Sequence, residues 1–150
     1  MKKLIVITLF TCAFLSLQAQ NETIEVEKVI NKLFDSMRAG DSTTLVSVFI
    51  NDPAMKTVYN KDGKVILHSG SLNDFAKAVG TPHDQIFNEV IKNLEIKVDG
   101  PLASAWVPYK FFLGEQYSHC GVNVFELIKI DGNWKISSII DTRRKDDCLF

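Results

Sequence analysis

The fold class of this chain is most clearly indicated by residues 103–143, ASAWVPYKFFLGEQYSHCGVNVFELIKIDGNWKISSIIDTR. This stretch contains three runs rich in β-branched and aromatic residues, at 103–113, 117–130 and 134–143. Short turns separate them, Gly114-Glu115-Gln116 and Asp131-Gly132-Asn133. Such runs predict strands, and short connections between consecutive strands predict antiparallel pairing. We therefore expect an antiparallel sheet in the C-terminal part of the chain.

The preceding part of the chain is predicted to be mainly helical. Residues 24–39 place apolar side chains on one stripe of an α-helix, at Val26, Val29, Ile30, Leu33, Phe34 and Met37. Asp41 can cap a short second helix, and Asn51-Asp52-Pro53 would end it.

A hairpin and a third helix follow in the predicted order. The hairpin joins strands 55–59 and 64–69, and the helix spans 72–79. Residues 85–98 are ambiguous, with a strand predicted only in their second half. The predicted fold class is α+β, with a curved antiparallel sheet wrapped around N-terminal helices.

The N-terminus has the pattern of a secretory signal peptide. Lys2 and Lys3 precede an uncharged, largely apolar run over 4–17, and small Ala19 is a suitable last residue before cleavage. The run is shorter than the roughly 20 residues that a membrane-spanning helix needs. We predict a signal peptide over 1–19 and a single domain over 20–150. We expect an exported bacterial protein, periplasmic or secreted, that is not membrane-bound after processing.

Charge argues against nucleic acid as a partner. The chain has a net charge of −1, and the loss of Lys2 and Lys3 would make the processed domain more acidic still. Its one basic cluster, 143–145, is flanked by aspartates, whereas phosphate binding requires many clustered cations. The histidines and cysteines lack the close spacing of metal ligands, so neither a metal nor a cofactor is expected.

The two cysteines beyond the predicted signal peptide, Cys120 and Cys148, are expected to form a disulfide. The neighbouring pair His119-Cys120 could instead be a catalytic base and nucleophile. Successive residues of a strand point to opposite faces, which would separate these two side chains. The sequence therefore favours a structural disulfide over Cys-His catalysis.

A regular hairpin around the turn 131–132 would fix which residues share a face. In that register Cys120 lies opposite Arg143, and His119 lies opposite Arg144. His119 then shares one face with Asn123 and Thr142, and Asp141 lies on the other face with Cys120.

Several short motifs, taken in order, resemble the nuclear transport factor 2-like superfamily, which includes the SnoaL-like and ketosteroid isomerase-like proteins. They are Phe34–Met37 followed by Ala39–Asp41, the turn Asp99–Ala103 leading into Trp106, and Gly132–Ile136 at the start of the last strand. The chain is similar to an exported bacterial branch of the lumazine-binding-like type. This resemblance implies a cystatin-like cone fold with a pocket between sheet and helices, but no single activity.

The predicted pocket residues are those expected to line the cone or its mouth. They are His68, Trp106, Tyr109, Phe111, His119, Asn123, Thr142 and Arg144. The aromatic run around Trp106 and Tyr109 suits a flat or apolar ligand. Catalytic residues are not identified; the candidates by residue type are His119, Asp141 and Tyr109.

Three functions are compatible with these observations. The first is non-catalytic binding of a small apolar or aromatic ligand, with or without homodimerisation through the sheet, because no convergent acid–base set is evident. The second is an isomerase, cyclase or dehydratase using His119, Asp141 or a tyrosine, and a deep cavity with two or more ionisable groups would favour it. The third is a protein-interaction module that uses Val122, Val124 and Ile128, favoured by a filled cavity and an exposed apolar face.

Overall fold

The computed structural model describes the backbone of residues 2–150 and the side chains of residues 20–150. The elements are α1 (Lys2–Ala39), α2 (Ser42–Ser47), β1 (Phe49–Lys61), β2 (Lys64–Gly70), α3 (Leu72–Gly80), β3 (Phe87–Ile91), β4 (Glu95–Asp99), β5 (Leu102–Leu113), β6 (Gln116–Ile130) and β7 (Asn133–Arg143). The predicted signal peptide, 1–19, lies outside the residues whose side chains are described. Within the described part of the chain, none of the helices has the length and apolar character that crossing a membrane requires.

The strands form one sheet in the order β2-β1-β7-β6-β5-β3, with β4 also paired to β5. All pairs are antiparallel except β1 with β7, which is parallel. The predicted α+β class, with helices packed on a mainly antiparallel sheet, is confirmed.

Two segments differ from the predicted strands. β1 begins at Phe49 and contains Pro53, which was expected to end a helix. The pairing of β1 with β7 changes register between Phe49 and Ala54, and this irregularity accommodates a proline that cannot donate to a ladder. The ambiguous segment 85–98 contains two short strands, β3 and β4, that pair with successive parts of β5.

The core lies between the apolar stripe of α1 and the sheet face that we call the inner face. Val26, Ile30 and Leu33 of α1 are fully or almost fully buried, as are Phe125 and Leu127 of β6. The ring of Phe34 also contacts that of Phe125 edge-to-face, at 6.1 Å between centroids. The predicted helical stripe thus faces the sheet, and burial of these side chains stabilises the packing by roughly 2 kcal/mol each.

The β6–β7 hairpin corrects the register expected from a regular turn. Ile130 pairs with Asn133 as predicted, but the register shifts by one residue between Glu126 and Leu127, opposite Ser137. Asp141 consequently pairs with Asn123 and shares its face, whereas Cys120 lies opposite Arg144. The predicted placement of Asp141 with Cys120 is wrong, because one extra residue in β7 reverses every side chain beyond it.

The C-terminal tail folds back onto β6. It contains the predicted disulfide, Cys120–Cys148, with the two Cα atoms 5.8 Å apart. The hydroxyl of Tyr117 donates to the main-chain carbonyl of Lys145 at 2.9 Å. The ring of Phe150 lies beneath the ammonium groups of Lys92 and Lys110. These contacts cover Cys120, which is fully buried on the sheet face opposite the core.

Candidate functional site

A cavity of about 1240 Å³ opens between the inner face of the sheet and the helices. Its apolar lining comes from α1, α3 and five strands: Leu33, Phe34, Met37, Met55, Phe75, Phe87, Phe111, Phe125 and Ile139. The inner-face alternation of β1, β3, β5, β6 and β7 brings these side chains together. A cavity of this size and character can hold a small organic molecule.

Asp141 is at the centre of a polar cluster in this cavity. Its carboxylate accepts hydrogen bonds from the Thr57 hydroxyl at 2.6 Å, from the Arg143 guanidinium at 2.8 Å and from the Tyr109 hydroxyl at 3.3 Å. Asp141 is buried and Arg143 is half exposed, so their ion pair joins the cavity interior to its mouth. The bulge opposite Glu126 and Leu127 is the reason that Asp141 faces this cavity.

Glu89 of β3 adds a second buried carboxyl group to the same cavity. Its Oε1 atom accepts a hydrogen bond from the Asn123 amide at 2.6 Å, and only 9% of the residue is exposed. Burial, reinforced by the charge of Asp141, raises the pKa of Glu89 from 4.5 to about 7, although the bond from Asn123 and the charge of Arg143 oppose the rise. Glu89 can therefore gain or lose a proton near neutral pH.

Tyr109 and His119 lie beside these carboxyl groups. The Tyr109 hydroxyl also donates to the main-chain carbonyl of Thr142, and burial raises the pKa of this phenol, so Tyr109 stays protonated. Burial lowers the pKa of His119, and the nearby charge of Arg143 lowers it further. His119 Nδ1 lies 3.0 Å from the Ser118 hydroxyl. At neutral pH this imidazole is therefore mainly uncharged.

A chain of aromatic rings forms one wall of the site. His83 stacks on Phe87 with 4.1 Å between centroids, and Phe87 contacts Phe111 at 6.0 Å. Phe111 in turn contacts His119 at 5.1 Å, and His119 contacts Tyr109 edge-to-face at 5.7 Å. Flat rings in sequence give a wall that suits a planar or apolar ligand.

Six of the eight predicted pocket residues line this cavity: His68, Tyr109, Phe111, His119, Asn123 and Arg144. Trp106 does not; it lies 48% exposed on the sheet face opposite the core, since it pairs with Val124 and alternates with the buried Ala105 and Val107. Thr142 is also on that opposite face, because the β7 bulge reverses it. These two assignments are wrong.

Glu89 is the ionisable cavity residue of β3 that the sequence analysis did not identify. A signal was present, because Phe87, Glu89 and Ile91 alternate as strand residues on one face do. Because this segment was not predicted to be a strand, the sheet face of the Glu89 side chain could not be assigned from the sequence. Among the side chains of residues 20–150, no group of three or more His, Cys, Asp or Glu residues could hold a metal ion.

Comparison with known proteins identifies the family of this chain. Residues 21–139 match the model of the family described as "putative lumazine-binding". No curated protein matches the chain.

Among solved structures, a nuclear transport factor 2-like protein of unknown function from Shewanella baltica is similar, with 20% identity and a TM-score of 0.66 over 84% of this chain and 96% of that one. The β subunit of a "putative aromatic-ring-hydroxylating dioxygenase" from Novosphingobium aromaticivorans has 15% identity and a TM-score of 0.70, over 86% and 93% of the two chains. A nuclear transport factor 2-like protein with a cystatin-like fold from the same organism has 14% identity and a TM-score of 0.66, over 91% and 90%.

These structural likenesses show the fold alone, whereas the family model covers most of the chain. The fold is that of nuclear transport factor 2-like proteins, and the protein belongs to the family described as putative lumazine-binding.

Proposed function

We propose that this protein is an exported domain that binds a small organic molecule with an aromatic or apolar body in its cavity. The observation that carries the proposal is the open cavity of about 1240 Å³, which apolar and aromatic side chains line around a few buried polar groups. Such a combination gives affinity through the apolar walls and orientation through the polar groups. A cavity filled by the protein's own side chains would instead have favoured a purely structural role.

The binding proposal is tested by filling the cavity. In a thermal-shift screen of small aromatic compounds against residues 20–150, binders should raise the melting temperature. Met55→Trp would place an indole among the lining residues and should weaken binding at least tenfold. Val65→Trp, at a β2 position that is 74% exposed, is the control and should bind normally. The proposal fails if no compound stabilises the protein, or if Met55→Trp binds as tightly as the wild type.

Export is the second part of the proposal. The disulfide Cys120–Cys148 supports it, because such bonds persist in oxidising compartments outside the cytosol. Mass spectrometry of the protein from its native cells should show a chain beginning at Gln20. An intact Met1 on the mature protein would contradict the predicted cleavage.

Homodimerisation through the sheet is the third part. The face opposite the core, which we call the outer face, exposes large apolar side chains, among them Leu67, Leu102, Trp106 and Ile140. They belong to strands β2, β5 and β7, and Val124 of β6 lies between Trp106 and Ile140 in the pairing. An apolar sheet face of this kind is more typical of a protein interface than of a free surface.

A second candidate function is acid–base catalysis in the same cavity. The expectation of a non-catalytic protein relied on the lack of a convergent acid–base set, and the cavity contains one: Glu89, Tyr109, His119 and Asp141. The buried Glu89 carboxyl, with a pKa of about 7, suits proton transfer at neutral pH. If a bound compound is converted, Glu89→Gln should abolish turnover in a protein that a thermal melt shows to be folded. Unchanged turnover in that variant would exclude Glu89 as the catalytic residue.

A further inference from the structure

We propose that the ligand of this cavity is an organic cation: an aromatic or apolar body with a basic nitrogen that the Glu89 carboxylate binds against the aromatic wall. This inference deepens the proposed binding function and rests on it. It assigns the chemical class of the ligand and the residue that selects it.

The first step is that Glu89 has no cationic partner in the protein. Its Oε1 accepts from Asn123, an uncharged amide, and Oε2 makes no hydrogen bond with any residue of 20–150. The salt bridges of that part of the chain do not include Glu89. Arg38 donates to the main-chain carbonyl of Glu89, at 3.2 Å, and not to its carboxylate. The Arg38 guanidinium forms its ion pair with Asp35.

The second step concerns the free energy of the buried Glu89 carboxyl. Its ionised form is unfavourable in this position unless a positive charge lies beside it. A buried carboxylate either takes up a proton or pairs with a cation. Every buried side-chain nitrogen and oxygen of the described residues has a hydrogen-bond partner, so the unpaired Oε2 is not closed off within the protein but faces the cavity. A ligand can therefore supply the positive charge that the protein does not.

The third step concerns the rings around Glu89. The residue pairs with Phe111 across the β3–β5 ladder and follows Phe87 by two positions on the same strand face. Aromatic faces carry partial negative charge and attract organic cations, most strongly where water is excluded. A carboxylate between aromatic rings is thus suited to an amine or amidine attached to a flat body.

The charged groups that face Glu89 do not neutralise its carboxylate when Glu89 is ionised. Asp141 and Arg143 of β7 form an ion pair and compensate each other. Tyr109 of β5 stays protonated, and His119 of β6 is mainly uncharged at neutral pH. Arg38 of α1 is held by Asp35 and by the Glu89 carbonyl. Lys56, Arg144 and Lys145 also line the cavity, but the charges that act on Glu89 are those of Asp141 and Arg143. The uncompensated charge beside the aromatic rings is therefore that of Glu89.

The experiment compares three probes of matched shape that differ in charge: 2-naphthylmethylamine, 2-naphthylmethanol and 2-naphthoate. Their binding to residues 20–150 is measured by isothermal titration calorimetry at about pH 5.5 and about pH 8.5, either side of the neutral range. At the higher pH the protonated amine should bind at least tenfold more tightly than the alcohol, and the naphthoate most weakly. At the lower pH, where Glu89 holds a proton, the amine should lose most of that advantage.

Glu89→Gln is the decisive variant, because glutamine can still accept the hydrogen bond from Asn123. It should remove the preference for the amine and change binding of the alcohol less than threefold. Asp74→Asn is the matched control, since Asp74 lines the cavity mouth but is exposed, and it should keep the preference. A thermal melt of each variant establishes that it is folded.

Each other outcome overturns a defined part of the proposal. If the alcohol binds as well as the amine, or if the preference survives in Glu89→Gln, the cation inference is wrong while ligand binding stands. Tighter binding of the alcohol at low pH would mean that protonated Glu89 recognises a neutral acceptor instead. If none of the probes binds, the cation inference fails, and the thermal-shift screen decides the proposed binding function separately.

Discussion

The hydroxyl of Tyr109 in β5 donates a hydrogen bond to the main-chain carbonyl of Thr142 in β7, 2.9 Å away and across the intervening strand β6. Tyr109 pairs with Gly121 of β6, and the ring crosses the strand where that residue has no side chain. Beside this contact, the Val122 amide of β6 donates to the side-chain hydroxyl of Thr142, at 3.1 Å. Gly121 therefore allows Tyr109 to bridge three strands and hold the Asp141 region in place.

Substitution of Gly121 should be strongly destabilising. A Cβ atom there would lie 1.8 Å from the Thr142 carbonyl oxygen and 2.9 Å from Cε1 of Tyr109, too close for either to remain in place. We expect Gly121→Ala to lower the free energy of unfolding by about 3 kcal/mol or to prevent folding. Gly70→Ala is the control, since the nearest atom to its added Cβ is 4.0 Å away. Equal urea-unfolding midpoints for the two variants would contradict the tight contact.

Removal of the Tyr109 hydroxyl should have a smaller, measurable cost. Tyr109→Phe keeps the buried ring but leaves the Thr142 carbonyl without this donor, at a cost of about 1–2 kcal/mol. Urea unfolding measures the change, with Tyr117→Phe as an exposed tyrosine for comparison. If Tyr109→Phe unfolds at the wild-type midpoint, the bridge contributes nothing to stability.

The protonation of Glu89 should make stability depend on pH in a defined direction. Because the folded protein raises the pKa of Glu89 from 4.5 to about 7, it holds this proton more tightly than the unfolded chain does. Stability from this group therefore falls as pH rises from 4.5 to about 7, by at most roughly 3 kcal/mol. Glu89→Gln should be more stable than the wild type at about pH 8 and similar below pH 4.5. A constant difference between the two proteins across this range would exclude a raised pKa.

The disulfide should stabilise the fold without forming part of the site. The bond joins residues 28 positions apart and should contribute about 3 kcal/mol by restricting the unfolded chain. Cys148→Ser should lower the melting temperature and leave the affinity for any cavity ligand within about twofold. Mass spectrometry of the oxidised wild type should show two hydrogens fewer than the dithiol. Free thiols on both cysteines, or loss of binding in a folded variant, would contradict this role.

The outer face should control the oligomeric state. Trp106→Lys places a charge on a side chain that is 48% exposed at this face and should convert the proposed homodimer to a monomer. Analytical ultracentrifugation measures the change. Ile86→Lys is the control, because Ile86 is exposed in the segment before β3 rather than on the sheet. A wild-type monomer, or a dimer that survives Trp106→Lys, would show that copies do not associate through this face.

Local patterns in the sequence were enough to predict the fold class, most of the strands and the disulfide. The helical stripe of α1 and the alternation in β5, β6 and β7 are local patterns of period 3.6 and 2, and each is visible without knowing the partner element. The predicted signal peptide, whose removal would leave two cysteines, led to the predicted pairing of Cys120 with Cys148, and the structure contains this disulfide.

Which charged groups lie together in the cavity depends on strand register and on contacts between distant segments. One extra residue opposite Glu126 and Leu127 turns Asp141 into the cavity and Thr142 out of it, and no turn signal marks that bulge. Glu89 reaches Asn123 from a short strand 34 residues earlier in the chain. A side chain's face depends on the register of its whole ladder, and its pKa depends on groups brought close from distant segments. Local sequence pattern contains neither quantity.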